Sequence, residues 1–376
     1  MKKNILLYGT TNYGSKLSTS DTLKFKELSQ NFNVFVMTYN NVDKFIDHNY
    51  VGIQYLRKPR FLFLQYSKFY FLNLFRVKNF CEKNEIDIVS AKDPISALMP
   101  ILIKLFFLKN LKIVIEHHGD FLKLLLNQRS FKFNFLIMYF SKVISNFTYK
   151  NCDLIRGVEV NYTESIAKKF NKSYVSFPAW VDYKNYKIRN LQRENLVFVG
   201  NIIPRKGVYF LIKAFNLYTK ENNFTEKFLI IGDDQNAKYS KKCKLYIKNN
   251  NIKNIEFLGK KTPEELAQIY SSTRLVLMAS NFEGLPRVLI ESGLCATPSL
   301  ASNIQGISDP FGKYGGTTLY ELNNMRDFQE KLAGILASEQ IQTKLQQKSL
   351  ELSLKLSGKN VFLNNWIEIV EKLYEK

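Results

Sequence analysis

The chain has 376 residues, enough for two domains of ordinary size, and its hydrophobic content of 45% indicates a globular protein. Its formal net charge of +21 points to acidic partners, such as nucleic acid or an anionic membrane surface. The usual nucleic-acid-binding motifs are absent, and a general richness in Lys, Asn, Ile, Phe and Tyr explains much of the charge. A membrane surface is therefore the preferred partner, and nucleic acid is not expected.

The cysteines and the apolar runs bear on the compartment. The four cysteines are scattered without a C-x-x-C pair, which fits reduced thiols rather than a disulfide scaffold. The apolar run at residues 5–8 is too short for a signal-peptide core, and the run at residues 97–108 is too short and too charged to span a bilayer. We expect a cytoplasmic protein that lies peripherally on the inner face of the membrane.

The first half of the chain alternates predicted strands and helices. Residues 4–8 predict a strand, a loop containing Gly14 follows, and a helix capped by Ser18 or Ser20 leads to a second strand. This order favours a parallel, Rossmann-like sheet, although the dinucleotide pattern G-x-G-x-x-G is absent. The glycine loop fits an ordinary turn as well as a ligand site. Residues 93–108 predict a helix that begins at Asp93.

Two of the three histidines, His117 and His118, stand together where a predicted strand meets a loop. Open α/β sheets bind ligands at such strand ends. A metal site would need further His, Cys or carboxylate ligands at suitable spacing, and the sequence offers no such set.

Two segments of the first half, residues 57–83 and 121–150, interleave aromatic and basic side chains. The second segment includes Lys123, Arg129 and Lys132. This composition suits an interfacial amphipathic surface, although core helices with solvated lysines explain the second segment slightly better. Residues 1–185 hold 27 of the 54 basic side chains but only 14 of the 33 acidic ones, so the positive charge is concentrated in this half.

The second half opens on a predicted strand that ends at Gly200 and Asn201. Arg205 and Lys206 follow, just before a helix predicted over residues 208–218. Because cationic side chains, unpaired N–H groups and a helix dipole converge there, the arrangement predicts a cradle for a diphosphate.

The most informative stretch is residues 280–306, SNFEGLPRVLIESGLCATPSLASNIQG. Glu283 follows a predicted buried strand on a turn broken by Gly284, and Glu291 lies about one turn inside the next helix. Such a helix start suits a phosphate, and two carboxylates beside it can accept hydrogen bonds from a sugar and a ribose. Spacing alone would favour solvated helix faces, because two glutamates eight residues apart are common.

In its setting this stretch resembles the retaining glycosyltransferases of the GT-B fold, group 1 (family GT4). Their pattern is E-G-hydrophobic-P, a second Glu after seven intervening residues, then G-x-P and a Gly-rich turn. The chain departs from it at Ala296, which holds the usual glycine position. The matching residues are Glu283, Gly284, Leu285, Pro286, Glu291 and Gly306.

The resemblance assigns roles to these and other residues. It places Glu283 and His118 in the catalytic set near the donor sugar, with His117 as a packing residue, and it gives Glu291 the ribose. Asn201 stands where the family often has Arg, and Arg205 is the substitute cation. The implied substrate-binding residues are Glu291, Arg205, Lys206, Gly200, Asn201, Gly284, Leu285, Lys260, Lys261 and Gly14.

The resemblance also implies the architecture: two Rossmann-like domains facing each other across a cleft. The N-terminal acceptor domain would comprise residues 1–182, the C-terminal NDP-sugar-binding domain residues 195–358, and a final helix at about 359–376 would pack back on the first domain. The polar run at residues 183–195 would be the linker.

The implied reaction moves a sugar from an NDP-sugar to an acceptor hydroxyl with retention, in surface polysaccharide or glycoconjugate synthesis. The enzyme would be of the hexosyltransferase type, and its partners an NDP-sugar donor and a glycan or lipid-linked acceptor. Cations and helix dipoles would stabilise the leaving diphosphate, so no metal and no other cofactor is expected. Two alternatives stay open: a GT-B-fold nucleotide-sugar epimerase or hydrolase, and a non-catalytic basic protein that binds membranes or nucleic acid.

Overall fold

The computed structural model describes residues 2–11, 13–40, 43–57, 73–117, 119, 134–222 and 224–375, without the side chains of residues 134–137. The chain divides into two compact units. The first consists of Met1–Trp180 with Phe362–Lys376, and the second of Val181–Val361. Each unit is an α/β domain with its own sheet.

The strands of the first unit, within the described residues, are β1 Lys3–Tyr8, β2 Phe32–Asn40, β3 Lys44–Asp47, β4 Gly52–Arg57, β5 Ile88–Ala91, β6 Lys112–His117, β7 Leu154–Gly157 and β8 Ser173–Ser176. They form one sheet in the order β3-β4-β2-β1-β5-β6-β7-β8. The neighbouring strands run parallel, except that β3 pairs antiparallel with β4. The central strands are apolar and buried, as expected for a parallel sheet covered on both faces.

The described helices of this unit are α1 Thr19–Leu28, α2 Leu74–Lys83, α3 Leu98–Phe106, α4 Asn134–Asn151 and α5 Val160–Phe170. Ser18 caps α1, because its side chain accepts a hydrogen bond from the Asp21 N–H. The helix predicted to open at residue 93 begins only at Leu98. The reason is local: Asp93 and Ser96 hydrogen-bond each other's backbone and close a turn instead.

The second unit contains, among its described residues, the strands β9 Glu194–Val199, β10 Phe228–Ile231, β11 Ile255–Gly259, β12 Thr273–Met278, β13 Ser299–Ser302 and β14 Thr317–Tyr320. The order is β11-β10-β9-β12-β13-β14, and every pair is parallel. The helices that follow are α6 Val208–Asn222, α7 Ala237–Asn249, α8 Pro263–Ser272, α9 Arg287–Leu294, α10 Met325–Leu336, α11 Glu339–Ser357 and α12 Val361–Tyr374.

The last helix, α12, contributes most of its residues to the first unit. Its Trp366 and Ile369 are buried in the same apolar cluster as Ile88 and Val114 of the first sheet. The run at residues 183–195, which was predicted as a linker, packs as part of the second unit. Its Arg193 donates hydrogen bonds to the carbonyl oxygens of Thr273 and Cys295.

The strand order reverses once in each sheet. The chain winds outward in one direction from β1 and in the other from β5, and the second unit does the same from β9 and β12. Parallel α/β sheets bind ligands outside the carboxyl ends of their strands at such switch points. Each unit therefore has one place where a ligand site is expected.

Candidate active site

Glycines stand at the carboxyl ends of three strands of the second sheet. Gly200 follows β9, Gly232 follows β10, and Gly259 ends β11. Gly200 N donates to Ile231 O at 2.9 Å, and Gly232 N donates to Gly259 O at 2.9 Å. A Cβ on Gly232 would overlap the carbonyl oxygen of Gly200, so the close contact of the two backbones requires that residue 232 has no side chain. The turn after β9 therefore packs directly on the turn after β10, and the Lys206 side chain lies next to Gly200.

Two cations next to these strand ends converge on one carboxylate. Lys206 lies in a 3-10 turn, Pro204–Lys206, that precedes α6. Its Nζ lies 2.5 Å from Glu283 Oε1, and Arg205 Nη1 lies 3.3 Å from the same oxygen. The Arg205 guanidinium also donates to the carbonyl oxygen of Phe282 at 2.5 Å.

The backbone holds these three side chains together. Gly207 has φ +67°, in the left-handed region that favours glycine, and a Cβ there would overlap the carbonyl oxygen of Ala279. Asn281 N donates to Arg205 O at 2.9 Å. Gly306 packs in the same way against the turn that carries Glu283, because its Cβ would overlap the carbonyl oxygen of that residue. The glycines of the motif are thus required for packing of the turns.

The cluster is largely removed from water. The exposed fractions of the side chains are 13% for Lys206, 9% for Glu283 and 27% for Arg205. With two cations and one carboxylate, the three side chains carry a net positive charge. Charges shielded from solvent interact more strongly than charges at the surface, so this cluster is suited to a di-anionic group such as a diphosphate.

Glu291 lies on the fifth residue of α9 and is almost fully buried. Burial raises the pKa of Glu291, while Arg287 and the hydroxyl of Tyr270 oppose that rise. Arg287 Nη2 lies 3.2 Å from Glu291 Oε1, one helical turn away. Burial also raises the pKa of Tyr186, and the Glu291 charge adds to that rise. The carboxylate therefore lies in a phenol-lined environment, with one partly exposed cation beside it.

The structure brings only some of the predicted residues together. Gly284 and Leu285 follow Glu283 on the same partly buried turn. Asn201 is exposed, and its Nδ2 donates to Gln235 Oε1 at 3.0 Å, so it does not join the Lys206 cluster. Lys260 is exposed, and Lys261 pairs with Glu265 at 3.2 Å, where it supports the capping box of α8.

The other predicted residues belong to the first unit. Gly14 accepts a hydrogen bond from the Tyr55 hydroxyl at 2.7 Å through its carbonyl oxygen. His118, one of the two predicted catalytic residues, lies outside the described residues, as do Lys123, Arg129 and Lys132. His117 is described and is 1% exposed, with its ring packed edge-on against Tyr162.

Sequence reasoning missed several neighbours of the predicted residues. Arg287 could have been found, because it stands four residues before Glu291 on one helix face. Tyr186 lies in the run that was predicted as a linker, and Tyr270 lies at the end of a different helix. Nothing in the local sequence links these two phenols to Glu291.

Neither a metal-ligand cluster nor a membrane-spanning helix is found in the described part of the chain. No group of three or more His, Cys, Asp and Glu side chains in this part of the chain is arranged to hold a metal ion. None of the helices that the structure describes is both long and apolar enough to cross a membrane.

Comparison with known proteins defines the class. The structure of Anabaena HepE in complex with UDP and glucose superposes on the chain with a TM-score of 0.72 at 13% identity, covering 100% of both chains. Together with the two parallel-sheet units, this similarity defines the fold as GT-B. Residues 183–351, which make up most of the second unit, match the family described as glycosyl transferases group 1. These matches confirm the resemblance to group 1 glycosyltransferases of the GT-B fold that was drawn from the sequence.

Curated relatives resemble part of the chain. An uncharacterized glycosyltransferase of Methanocaldococcus jannaschii is 31% identical over 181 residues, which are 48% of this chain and 47% of that protein. The amylovoran biosynthesis glycosyltransferase AmsD of Erwinia amylovora is 26% identical over 215 residues, 50% of this chain and 59% of the relative. The chain thus spans about half the length of the curated relatives that it matches.

Proposed function

We propose that the chain is a glycosyltransferase that moves a sugar from an NDP-sugar to an acceptor hydroxyl with retention of anomeric configuration. The observation that carries the proposal is the cluster of Lys206, Arg205 and Glu283 at the carboxyl edge of a unit that matches the group 1 family. Glu291, about one turn inside α9, supplies a second carboxylate for the nucleotide-sugar.

The chemistry follows from the charges. The donor diphosphate takes Lys206 and Arg205 as its counter-ions, and Glu283 is released to accept hydrogen bonds from the sugar hydroxyls. As the bond between the anomeric carbon and the diphosphate oxygen breaks, negative charge grows on the leaving diphosphate, where the two cations stabilise it. The acceptor oxygen bonds to the anomeric carbon on the face that the diphosphate leaves, and its proton passes to the leaving group. No step of this scheme uses a metal ion.

Glu291 is assigned to the ribose. A carboxylate accepts hydrogen bonds from two vicinal hydroxyls at once, and an ionised acceptor makes stronger bonds than a neutral one. Its burial favours this role, because a hydrogen bond in a shielded position does not compete with water. Arg287 keeps the carboxylate oriented through its 3.2 Å contact.

The relatives indicate where to look for substrates. One relative takes part in amylovoran biosynthesis, and the HepE structure holds UDP and glucose. We therefore propose a UDP-hexose as the first donor to test and a surface polysaccharide or glycoconjugate as the product.

We also propose that the first unit docks on an anionic membrane from the cytoplasmic side. Large apolar side chains on three of its helices are exposed: Phe75 by 67%, Phe106 by 71%, Tyr139 by 58% and Phe140 by 60%. Exposed Lys142 lies on the same helix as the last two. Aromatic side chains beside lysines match the interface of a bilayer with acidic headgroups. A lipid-linked acceptor would be presented at such a surface.

The test is a panel of NDP-sugars, with binding measured by calorimetry and NDP release measured with and without EDTA. We expect one donor to bind and to be hydrolysed slowly, with no effect of EDTA. Lys206→Ala should weaken donor binding by about 1.5–3 kcal/mol and slow hydrolysis, while Lys241→Ala on the exposed face of α7 removes the same charge and serves as the matched control. If no donor on the panel binds, the proposal is wrong. Conversion of the donor into an epimeric NDP-sugar would favour the epimerase alternative.

A further inference from the structure

Lys92 occupies the switch point of the first sheet. It follows β5 directly, and its N–H donates to Tyr8 O at the end of the neighbouring strand β1 at 3.0 Å. Gly9 follows β1, and a Cβ added to it would lie 2.6 Å from Lys92 Cβ and 3.3 Å from Lys92 Cδ. The aliphatic stem of Lys92 therefore runs along the bare backbone of Gly9, at the place where a parallel sheet is expected to bind a ligand.

Among the described residues, the ammonium group of Lys92 has no ion-pair partner. Across the described ranges, no carboxylate oxygen lies within 4.0 Å of its Nζ, whereas Lys104 in the same unit pairs with Asp153 at 2.5 Å. The acidic side chains that act on Lys92 at longer range have other hydrogen-bond donors. Asp93 Oδ1 accepts from Ser96 N at 2.7 Å, and Glu116 accepts from a buried arginine and from a serine.

A second lysine approaches the first. Lys24 on α1 donates to the Tyr13 hydroxyl at 3.3 Å, and its charge acts against the protonated form of Lys92. Burial lowers the pKa of Lys92 further, and the carboxylates of Asp93 and Glu116 oppose this. A partly buried cation that has another cation nearby and no bound carboxylate is unfavourable for folding. An anionic ligand would remove that penalty.

We propose that Lys92, assisted by Lys24, binds a phosphoryl group of the acceptor substrate at the switch point of the first unit. The identification of the ligand as the acceptor rests on the proposed function. The anion site itself rests on the position of Lys92 and on its surroundings. Lysine is a point charge that suits a phosphate, whereas a carboxylate is better recognised by the fork of an arginine. Arg156, near the carboxyl end of β7, is engaged with Glu116 and with the carbonyl oxygens of Phe177 and Pro178.

The experiment titrates the full chain with two probes, inorganic phosphate and the water-soluble isoprenyl diphosphate citronellyl diphosphate, at low ionic strength and with saturating UDP. UDP occupies the cation cluster of the second unit, so that the probes report on other sites. Lys92→Met removes the charge and keeps the stem, and Lys92→Arg restores the charge. Lys112→Met is the matched control, since Lys112 begins β6 at the opposite edge of the same sheet.

We expect Lys92→Met to weaken binding of at least one probe by about tenfold or more, because a charge-assisted contact is lost. Lys112→Met should leave the affinity within about twofold, and Lys92→Arg should recover most of it. Loss for the isoprenyl diphosphate would assign a lipid carrier, and loss for phosphate alone would assign a soluble phosphorylated acceptor. Equal affinities in Lys92→Met and Lys112→Met, or no binding of either probe by the parent chain, would overturn the proposal. If only UDP fails to bind, the proposed function fails and the phosphate titration still reports on Lys92.

Discussion

Lys206 Nζ donates to Glu283 Oε1 at 2.5 Å, and the same oxygen lies 3.3 Å from Arg205 Nη1. One carboxylate thus neutralises part of the charge that a diphosphate would use. A donor has to compete with Glu283 for these cations, and the carboxylate that it displaces is the group assigned to the donor sugar.

The first prediction concerns this competition. Glu283→Gln should bind UDP at least as tightly as the parent chain, with a gain of up to about tenfold, because the internal anion is gone. Turnover should fall by at least about a hundredfold, because the amide cannot replace the ionised acceptor. Calorimetry with UDP and a transfer assay measure the two effects separately. Weaker UDP binding together with unchanged turnover would contradict both assignments.

The second prediction ranks the cations. Lys206→Ala should weaken binding of UDP by about 1.5–3 kcal/mol, and Arg205→Ala should have a smaller effect. The reason is that Lys206 is the less exposed of the two, while Arg205 also donates to the carbonyl oxygen of Phe282. Lys241→Ala is the charge-matched control on an exposed helix face. Equal tolerance of both changes would remove the diphosphate assignment.

The neighbouring Asn201 allows a gain-of-function version of that test. Asn201→Arg restores the cation that the family pattern has at this position. We expect unchanged or tighter binding of UDP, because the Asn201 side chain is exposed and its hydrogen bond to Gln235 lies at the surface. A loss of UDP binding in this variant would mean that the cradle differs from the family pattern in more than one residue.

The third prediction uses the buried carboxyl of Glu291. Because burial raises its pKa above the ordinary value of 4.5, the folded chain keeps a proton over a pH interval in which the unfolded chain has lost it. The free energy of unfolding of the parent therefore falls as pH rises through that interval. Glu291→Gln has no proton to lose at this position. The free energy of unfolding of the variant, relative to that of the parent, should therefore increase as the pH rises from below 4.5.

Urea denaturation of parent and variant at a series of pH values measures this difference, since other titrating groups cancel. Arg287→Met should raise the pKa of Glu291 further and extend the interval to higher pH, because the nearby cation is removed. A stability difference that does not vary with pH would show that Glu291 is not shielded as the structure indicates.

The fourth prediction concerns the one departure from the family pattern in the carboxylate stretch. Ala296 has φ +55°, a left-handed conformation in which glycine is favoured. Ala296→Gly should therefore stabilise the second unit by about 0.5–1 kcal/mol, after the entropy of the new glycine in the unfolded chain is subtracted. Thermal denaturation measures it. Ala333→Gly, inside α10, should instead destabilise by about 1 kcal/mol and serves as the control.

The sequence predicts much of the fold because its signals are local. Apolar runs such as residues 275–278 mark buried parallel strands, and Ser18 marks the start of α1 through a contact three residues away. The turn after β12 and the position of Glu283 on it follow from Gly284 and Pro286, which break the chain.

The rest depends on contacts between distant residues. Lys206 and Glu283 are 77 positions apart, and no spacing rule joins them. The family resemblance assigns both to the donor site, but their direct contact is seen only in the structure. The run at residues 183–195 looked like a linker because it is polar. Arg193 nevertheless anchors it through Thr273 and Thr297, which are 80 and 104 residues away. The composition of this run does not predict the hydrogen bonds that Arg193 makes.

The fifth prediction concerns the exposed aromatic side chains of the first unit. The full chain should float with liposomes of high anionic content at low salt and should be released at high salt, because each lysine near the surface contributes on the order of 1 kcal/mol that fades beyond a Debye length. Phe106→Ser with Phe140→Ser should weaken binding, since apolar insertion is lost, and Lys142→Glu should weaken it at low salt only. Tyr314→Ser, at an aromatic residue of the second unit that is 51% exposed, is the control. Charge reversal at Lys123, Arg129 and Lys132 tests the stretch outside the described residues. If the parent chain ignores anionic liposomes at low salt, its positive charge reflects general composition, and a soluble acceptor becomes the better hypothesis.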